Sequence, residues 1–384
     1  MLFEFRNSNN KITSLSKFFL LLTYSLVYDL LFEMILKNIL SFPASIIKFF
    51  TIFIFSFNSI SDDGVSKYYI EDKGTVSLMY HRFNENEYPS TNIQMDIFEK
   101  HIKLIKSENL EIDNIDNFNS NFSKNKDKKK ILITIDDAFS SFYENAWPYL
   151  KKNKIPFILF VSTEPVGKNG YMTWNEIKEI DNSDFGYIGN HSHSHEYLIN
   201  YKFDDFKKDI DKSIKIFKEN LGYNPVYFSY PFGEYSKKQK NYISKNFKFA
   251  FGQHSGVIDF NKDKFELPRF PINEKYGDLD RFKFLIKLLP LQYNKIVPDD
   301  KYIKKVDNPP DVSIEFFKDQ KNIQNINCFS DEGAGWKKTQ IEFEKNILKL
   351  NFIDKFKFRR GRINCSLNDD AGWRWLGIQF SIEN

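Results

Sequence analysis

The sequence predicts an α/β protein built on a parallel sheet, open or closed into a barrel, followed by a small all-β unit. Three observations carry this. Apolar runs of strand length alternate with helix-patterned stretches over about 215 residues, which is how parallel sheets are written. A charged, proline-containing stretch, 291–310, then reads as a linker. The remaining residues, 311–384, are β-patterned and carry an internal repeat.

The first run, Thr75–Tyr80, reads as a buried strand ending in His81 and Arg82, and opens a domain spanning 74–290. Phe98, Ile102 and Ile105 recur at helical spacing within Met95–Lys106. A lysine-rich loop, Ser123–Lys130, precedes the strand Ile131–Ile135. There follow a helix over Ser140–Lys152, a strand over Phe157–Val161, a helix over Trp174–Ile180 and a strand over Phe185–Gly189. A long helix, Phe203–Glu219, and a strand, Val226–Tyr230, complete the alternation. In the tail, Ile326–Trp336 aligns without gaps on Ile363–Trp373, which suits two successive units of strand, acidic Gly-containing turn and Trp. Trp336, Trp373 and Trp375 are read as core residues in preference to sugar-stacking ones, and Asp331, Glu332, Asp369 and Asp370 as turn residues. Cys328 and Cys365 permit one disulfide.

Composition excludes some classes. With 55 basic and 51 acidic residues, a formal net charge of +4, the chain gives no argument for a nucleic-acid or anionic-membrane partner. Abundant Lys, Asn, Ile and Phe look like an AT-rich coding background, so lysine clusters carry little weight. Residues 1–61 hold two apolar stretches, Phe18–Val27 and Phe49–Phe57, neither reaching the roughly 20 residues that span a bilayer. Lys37 and Lys48 precede the second and Ser59 and Ser61 follow it, as in a secretory signal whose true start would be Met34. An uncleaved anchor is the alternative. Either reading makes the chain exported, whether periplasmic, secreted or held at the membrane or cell envelope by its N-terminus.

Asp136 and Asp137 follow directly on the apolar strand, where one carboxylate is able to bind a metal while the other takes a proton from metal-bound water. Alone, such a pair would more simply cap the next helix. The segment Gly189–His195 changes the balance, because it holds three of the six histidines. His191 and His195, four apart, are expected on one face of a helical turn, with His193 pointing away. Two His and one carboxylate leave open positions on a zinc-like ion, as catalytic sites do.

Four segments in order, Thr134-Ile-Asp-Asp-Ala138, His191-Ser-His-Ser-His195, Tyr230-Pro-Phe-Gly233 and Leu267-Pro-Arg269, resemble the successive motifs of the NodB-like polysaccharide deacetylases, the family-four carbohydrate esterases. The opening Leu78-Met-Tyr-His-Arg82 resembles the branch that includes exopolysaccharide and poly-N-acetylglucosamine deacetylases. The resemblance implies a distorted (β/α) barrel with its motifs at the strand C-termini. It implies Asp136 as general base and Asp137, His191 and His195 as ligands of a divalent metal: Zn²⁺ first, with Co²⁺, Mn²⁺ or Fe²⁺ as alternatives. Tyr230, Pro231, Phe232 and Gly233 would line the substrate groove, with the Phe232 N–H given to the oxyanion. The sequence departs from the pattern at Ala138, where Gly is usual. The Arg that often precedes the groove motif has no equivalent in Tyr227–Tyr230, and no clear Leu-x-His motif is present.

His254 is therefore the candidate general acid, with a structural role as its alternative. Arg269 either pairs with Asp136 and keeps it ionised or forms a structural salt bridge. His81 lies at a strand end, lining the site or supporting the fold. The function implied is a metal-dependent polysaccharide deacetylase removing N-acetyl groups from an N-acetylhexosamine polymer. The alternatives are an O-acetyl esterase on an acetylated glycan and a non-catalytic glycan-binding protein.

Overall fold

The computed structural model describes residues 72–121, 128–318 and 320–383. The expected signal or anchor, residues 1–61 with Met34, lies outside the described residues. Among the described residues, no helix is long and apolar enough to cross a membrane.

Six parallel strands form the first sheet: β1 (Thr75–Tyr80), β2 (Lys130–Asp136), β3 (Phe157–Val161), β4 (Gly186–Asn190), β5 (Tyr227–Ser229) and β6 (Phe249–Phe251). They pair in that order. Helices Met95–Ser107 (α1), Trp147–Asn153 (α2), Trp174–Asp181 (α3), Phe203–Leu221 (α4) and Lys237–Asn246 (α5) fall between them. The expected helix over Ser140–Lys152 opens as a π-helical turn, Phe142–Ala146, before α2.

The period of two in β2 divides the core. Ile131, Ile133 and Ile135 pack with the helices, in one cluster with Phe98, Ile102, Phe157 and Leu159. Leu132 faces the other way, into a cluster with Ile158, Phe160, Phe249 and Phe251. Thr134 and Asp136 follow Leu132 on that inner side. A polar strand end inside the barrel is thus written in the alternation itself.

Closure comes from a short connection. Phe251 of β6 bridges Leu267, and immediately after Arg269 the chain is paired with β1, through Phe270 with Leu78 and Pro271 with Met79. The bottom of β1 is covered by antiparallel pairing with Val257–Ile258. Arg269 therefore sits on the seam where the sheet curls shut, which is the distorted barrel expected.

The stretch 291–310, expected as a linker, is instead built into the C-terminal sheets. Lys295–Val297 pairs with Val312–Glu315 (β7), and Tyr302–Ile303 with the last strand. Its apolar residues Leu291 and Ile303 are buried in the C-terminal core, so it has no freedom to act as a spacer. Beyond it, Asn327–Asp331 (β8), Trp336–Lys338 (β9), Gln340–Glu344 (β10), Ile347–Asn351 (β11), Arg360–Asp369 (β12) and Gly372–Ile382 (β13) make two sheets. One runs β9-β8-β12-β13 and the other β7-β11-β10, and both feed one core around Ile314, Leu348, Cys365 and Phe380.

The repeated segments form two hairpins, β8–β9 and β12–β13, that meet along β8 and β12. Cys328 lies directly opposite its repeat counterpart Cys365, and the two are joined as a disulfide. The core reading of the tryptophans needs correction. Trp336 and Trp373 are 45 % and 43 % exposed, on strand positions that face away from the shared core. Trp375, on the same strand face as Trp373, is half-buried against the barrel core beside Phe270. The acidic turns behave as expected: Asp331 accepts from the Gly333 N–H and Asp369 from the Ala371 N–H. Barrel and C-terminal sheets belong to one compact unit.

Candidate metal centre

Asp136 ends β2 with its side chain fully buried, and the chain turns sharply after it. Asp137 and Ala138 both take positive φ, 78° and 55°. The turn is held by the Asp137 N–H donating to the Phe160 carbonyl at 3.0 Å. Glycine adopts such a backbone freely, whereas Ala138 must be held in it by its neighbours. Ala138 nonetheless adopts the left-handed conformation, so its departure from the family pattern leaves the turn intact.

The histidines come from the end of β4. His191 is fully buried, and its Nδ1–H donates to the Ser229 carbonyl at 2.7 Å, which leaves Nε2 with its lone pair facing the Asp pair. Burial pushes its pKa down to about 4, keeping the ring neutral as a ligand must be. The expected helical turn is absent. Ser192 and His195 instead take left-handed φ of 72° and 54°, and this irregular loop folds His195 back beside His191, ring centroids 4.8 Å apart. Asp209 of α4 holds the loop by accepting from the N–H groups of His193 and Ser194 at 2.9 and 3.1 Å. His193 points away, bonding Thr163 Oγ1 at 2.8 Å.

Asp137, His191 and His195 each offer one ligand atom, all within 4.8 Å of one another. Asp137 Oδ1 lies 3.1 Å from His195 Nε2 and 3.5 Å from His191 Nε2. Asp137 Oδ1 and His191 Nε2 are buried without a hydrogen-bond partner. Two buried polar atoms left unpaired and aimed at one point are costly unless something sits between them. These residues fit a divalent cation of the zinc type, with open positions left for substrate. Burial disfavours ionised Asp137, but His195 and His81 outweigh it and hold the carboxylate well below its ordinary range.

Asp136 stands beside this set, its Oδ2 3.8 Å from His191 Nε2. Arg269 grips it with two bonds, Nη1 to Oδ1 at 2.6 Å and Nη2 to Oδ2 at 2.8 Å. The remaining guanidinium donors go to Thr134 Oγ1 at 3.2 Å, Ser229 Oγ at 2.8 Å and the Gly252 carbonyl at 2.9 Å. Burial opposes the charge on Asp136, yet the Arg269 guanidinium overcomes it and lowers the pKa. Asp136 is therefore ionised and fixed in orientation.

His254 is not brought to this centre. Its ring lines a cavity with Ser255, Phe270 and Trp375, and desolvation there, with Lys301 nearby, pushes its pKa down to about 4. It is not among the side chains gathered at the Asp137, His191 and His195 set, so the geometry gives no support to it as the acid. His81, at the end of β1, is partly exposed and is close enough to act electrostatically on both Asp136 and Asp137. The groove motif forms a tight turn in which Phe232 is left-handed, φ 58° and ψ 7°. Its ring lies 4.9 Å from that of His195 and 4.1 Å from that of Tyr197. Tyr230 and Pro231 are buried beneath it. Ser229 and Asp209 escaped the sequence reading. The first immediately precedes the groove motif and was within reach; the second is one acidic residue among many on a charged helix.

A family model described as polysaccharide deacetylase matches residues 123–249, the segment that holds Asp136, Asp137, His191, His195 and the groove motif. Over that segment the chain is similar to the polysaccharide deacetylases. A relative from Staphylococcus aureus named poly-β-1,6-N-acetyl-D-glucosamine N-deacetylase is 26 % identical to this chain over 255 residues, 59 % of this chain and 86 % of that one. A protein of the same name from Staphylococcus epidermidis is 23 % identical over 259 residues, 60 % and 88 % of the two chains. Among solved structures, IcaB from Ammonifex degensii shares the deacetylase fold with a TM-score of 0.50 and 22 % identity, covering 57 % of this chain and all of that one. A de-N-acetylase from Aggregatibacter actinomycetemcomitans matches with a TM-score of 0.50 and 14 % identity, over 55 % of this chain and 99 % of that one.

Proposed function

We propose that the chain is an exported, metal-dependent deacetylase that hydrolyses N-acetyl groups of an N-acetylhexosamine polymer. One observation carries the reading: the unpaired buried atoms of Asp137 and His191, with His195, converge beside a carboxylate that Arg269 keeps ionised. A ligand set alone would need no second carboxylate, so this arrangement favours turnover over mere binding. The names of the staphylococcal relatives support the substrate class.

A divalent cation held by Asp137, His191 and His195 supplies Lewis acidity, polarising the acetyl carbonyl and acidifying water. Asp136 takes the proton from the attacking water as its oxygen bonds the carbonyl carbon. The Phe232 N–H donates to the oxyanion that forms. His81 replaces His254 as the acid: it gives a proton to the departing amine as the C–N bond breaks, leaving acetate and a free amino sugar. The reading assigns the reacting groups to 74–290, with 311–384 as a β-rich part of the same compact unit. Residues 1–61 serve for export; finding the mature chain confined to the cytosol on fractionation would remove that part of the proposal.

Acetate release across a panel of glycans tests the substrate assignment. Poly-N-acetylglucosamine is expected to be the best substrate, with peptidoglycan poorer and acetylated xylan inert. Release from acetylated xylan in preference to the N-acetylated polymers would instead make the enzyme an O-acetyl esterase.

A further inference from the structure

The groove turn holds two consecutive left-handed residues, Phe232 at φ 58° and Gly233 at φ 68°. Gly233 suits its conformation, and the contact of a Cβ there with the Gln253 backbone would be prohibitive. Phe232 has no such freedom, so its conformation persists only if the surroundings impose it. What imposes it comes from the far end of the chain.

Gln379 of β13 is buried and points its amide at this turn. Its Nε2 donates to the Phe232 carbonyl and to the Gly233 carbonyl, both at 3.1 Å. Arg359, just ahead of β12, reaches the same place. It binds the buried Glu234 through Nε to Oε1 at 3.0 Å and Nη2 to Oε2 at 2.5 Å. Its guanidinium also lies flat over Tyr197, 3.3 Å from the ring centroid. Tyr197 in turn stacks on Phe232, whose ring meets that of the metal-set histidine His195 at a tilt of 55°. Arg359 is itself pinned, its carbonyl accepting from the Ile382 N–H at 2.7 Å.

We infer that the β12–β13 hairpin is a working part of the active site: Gln379 and Arg359 are positioning residues that hold the Phe232 turn in its catalytic conformation. The inference rests on the reading of the Phe232 N–H as oxyanion donor. The carbonyls of residues 232 and 233 share their peptide planes with the N–H groups of Gly233 and Glu234, so the amide fixes those two planes. The Glu234 N–H in turn donates to the Pro231 carbonyl at 3.2 Å, and that peptide plane carries the Phe232 N–H. Tyr197, clamped between Arg359 and Phe232, fixes the side-chain half of the same turn. A hairpin that merely packed against the barrel would not need a buried amide with both hydrogens committed to two groove carbonyls. The C-terminal β unit thus contributes geometry to the chemical step, whatever glycan the exposed Trp336 and Trp373 do or do not touch.

The test is the kinetics of Gln379→Leu, Gln379→Glu and Arg359→Lys on chito-oligomers with Zn²⁺-loaded, full-length protein, at a temperature where each variant is folded by circular dichroism. Removing an oxyanion donor costs about 10²–10³ in kcat, so misplacing one is expected to cost roughly 10- to 100-fold. The loss should fall in kcat, with KM and the bound zinc unchanged. Gln379→Glu keeps the volume but turns an acceptor on two carbonyls, so it should lose at least as much as Gln379→Leu. Arg359→Lys keeps a cation near Glu234 but not the flat face over Tyr197, and should lose less in the same direction. Wild-type kcat in folded Gln379→Leu, or losses that vanish on cooling along with restored folding, would overturn the inference. Asp136→Asn run alongside separates the two layers: if it is inactive while the Gln379 variants are not, only the hairpin's role fails; if it is fully active, the underlying reading fails.

Discussion

Asp136→Asn is expected to lower kcat by about 10²–10⁴-fold, the usual contribution of a positioned general base, while the protein still binds one divalent ion. The two halves of that result come from different atoms. The ligand atoms are on Asp137, His191 and His195, which lie within 4.8 Å of one another. Asp136 Oδ2 is farther from His191 Nε2, at 3.8 Å, than Asp137 Oδ1 is at 3.5 Å, and it is already occupied by Arg269. Amidation removes the proton acceptor and leaves the ligands. It also sets an NH₂ against a guanidinium, so some stability is lost, and the kinetics belong below the variant's unfolding transition. Zinc content equal to wild type with acetate release near the detection limit is the expected pair of readings. Undiminished release would place the base elsewhere.

The largest stability effect is expected at Arg269. Its side chain is fully buried and makes five hydrogen bonds, two of them to the equally buried Asp136. Replacing it with Met strands a carboxylate in the barrel interior, at a cost of about 3–5 kcal/mol. Denaturant unfolding at neutral pH measures this directly. The pH dependence has a definite sign. The pKa of Asp136 is lowered in the folded state, so its contribution is fully present above the ordinary carboxylate value of 3.8 and is lost as pH falls through the lower folded value. In Arg269→Met the same carboxyl is buried without its cation, and its pKa rises. The gap between wild type and variant therefore widens as pH rises from 4 toward neutrality. Adding Asp136→Asn to Arg269→Met should recover part of the loss, because the uncompensated charge is then gone.

Much of the barrel was legible in the sequence because its information is local. Strand-length apolar runs, and the alternation in Ile131–Asp136 that turns Thr134 and Asp136 inward, are read within a few residues. The clustering of His191 and His195 was visible too, although for another geometric reason than helical spacing, since Ser192 and His195 are left-handed. What escaped depends on contacts distant in sequence. His254 follows an apolar strand as a catalytic residue would, and only the tertiary fold shows its ring lining a cavity with Phe270 and Trp375. The prolines of 291–310 suggested a spacer, but pairing with β7 and β13 absorbs the stretch into the sheets. Gln379 lies 147 positions from Phe232 and carries no local mark of its role.

The most direct test of the metal-and-base account is acetate release from poly-N-acetylglucosamine by chelator-stripped protein titrated with Zn²⁺. The account predicts no release from the stripped protein and recovery to a plateau at one ion per chain. It also predicts no recovery at that stoichiometry in His191→Ala or His195→Ala. Full release from the stripped protein, or a wild-type titration curve in His191→Ala, would contradict it.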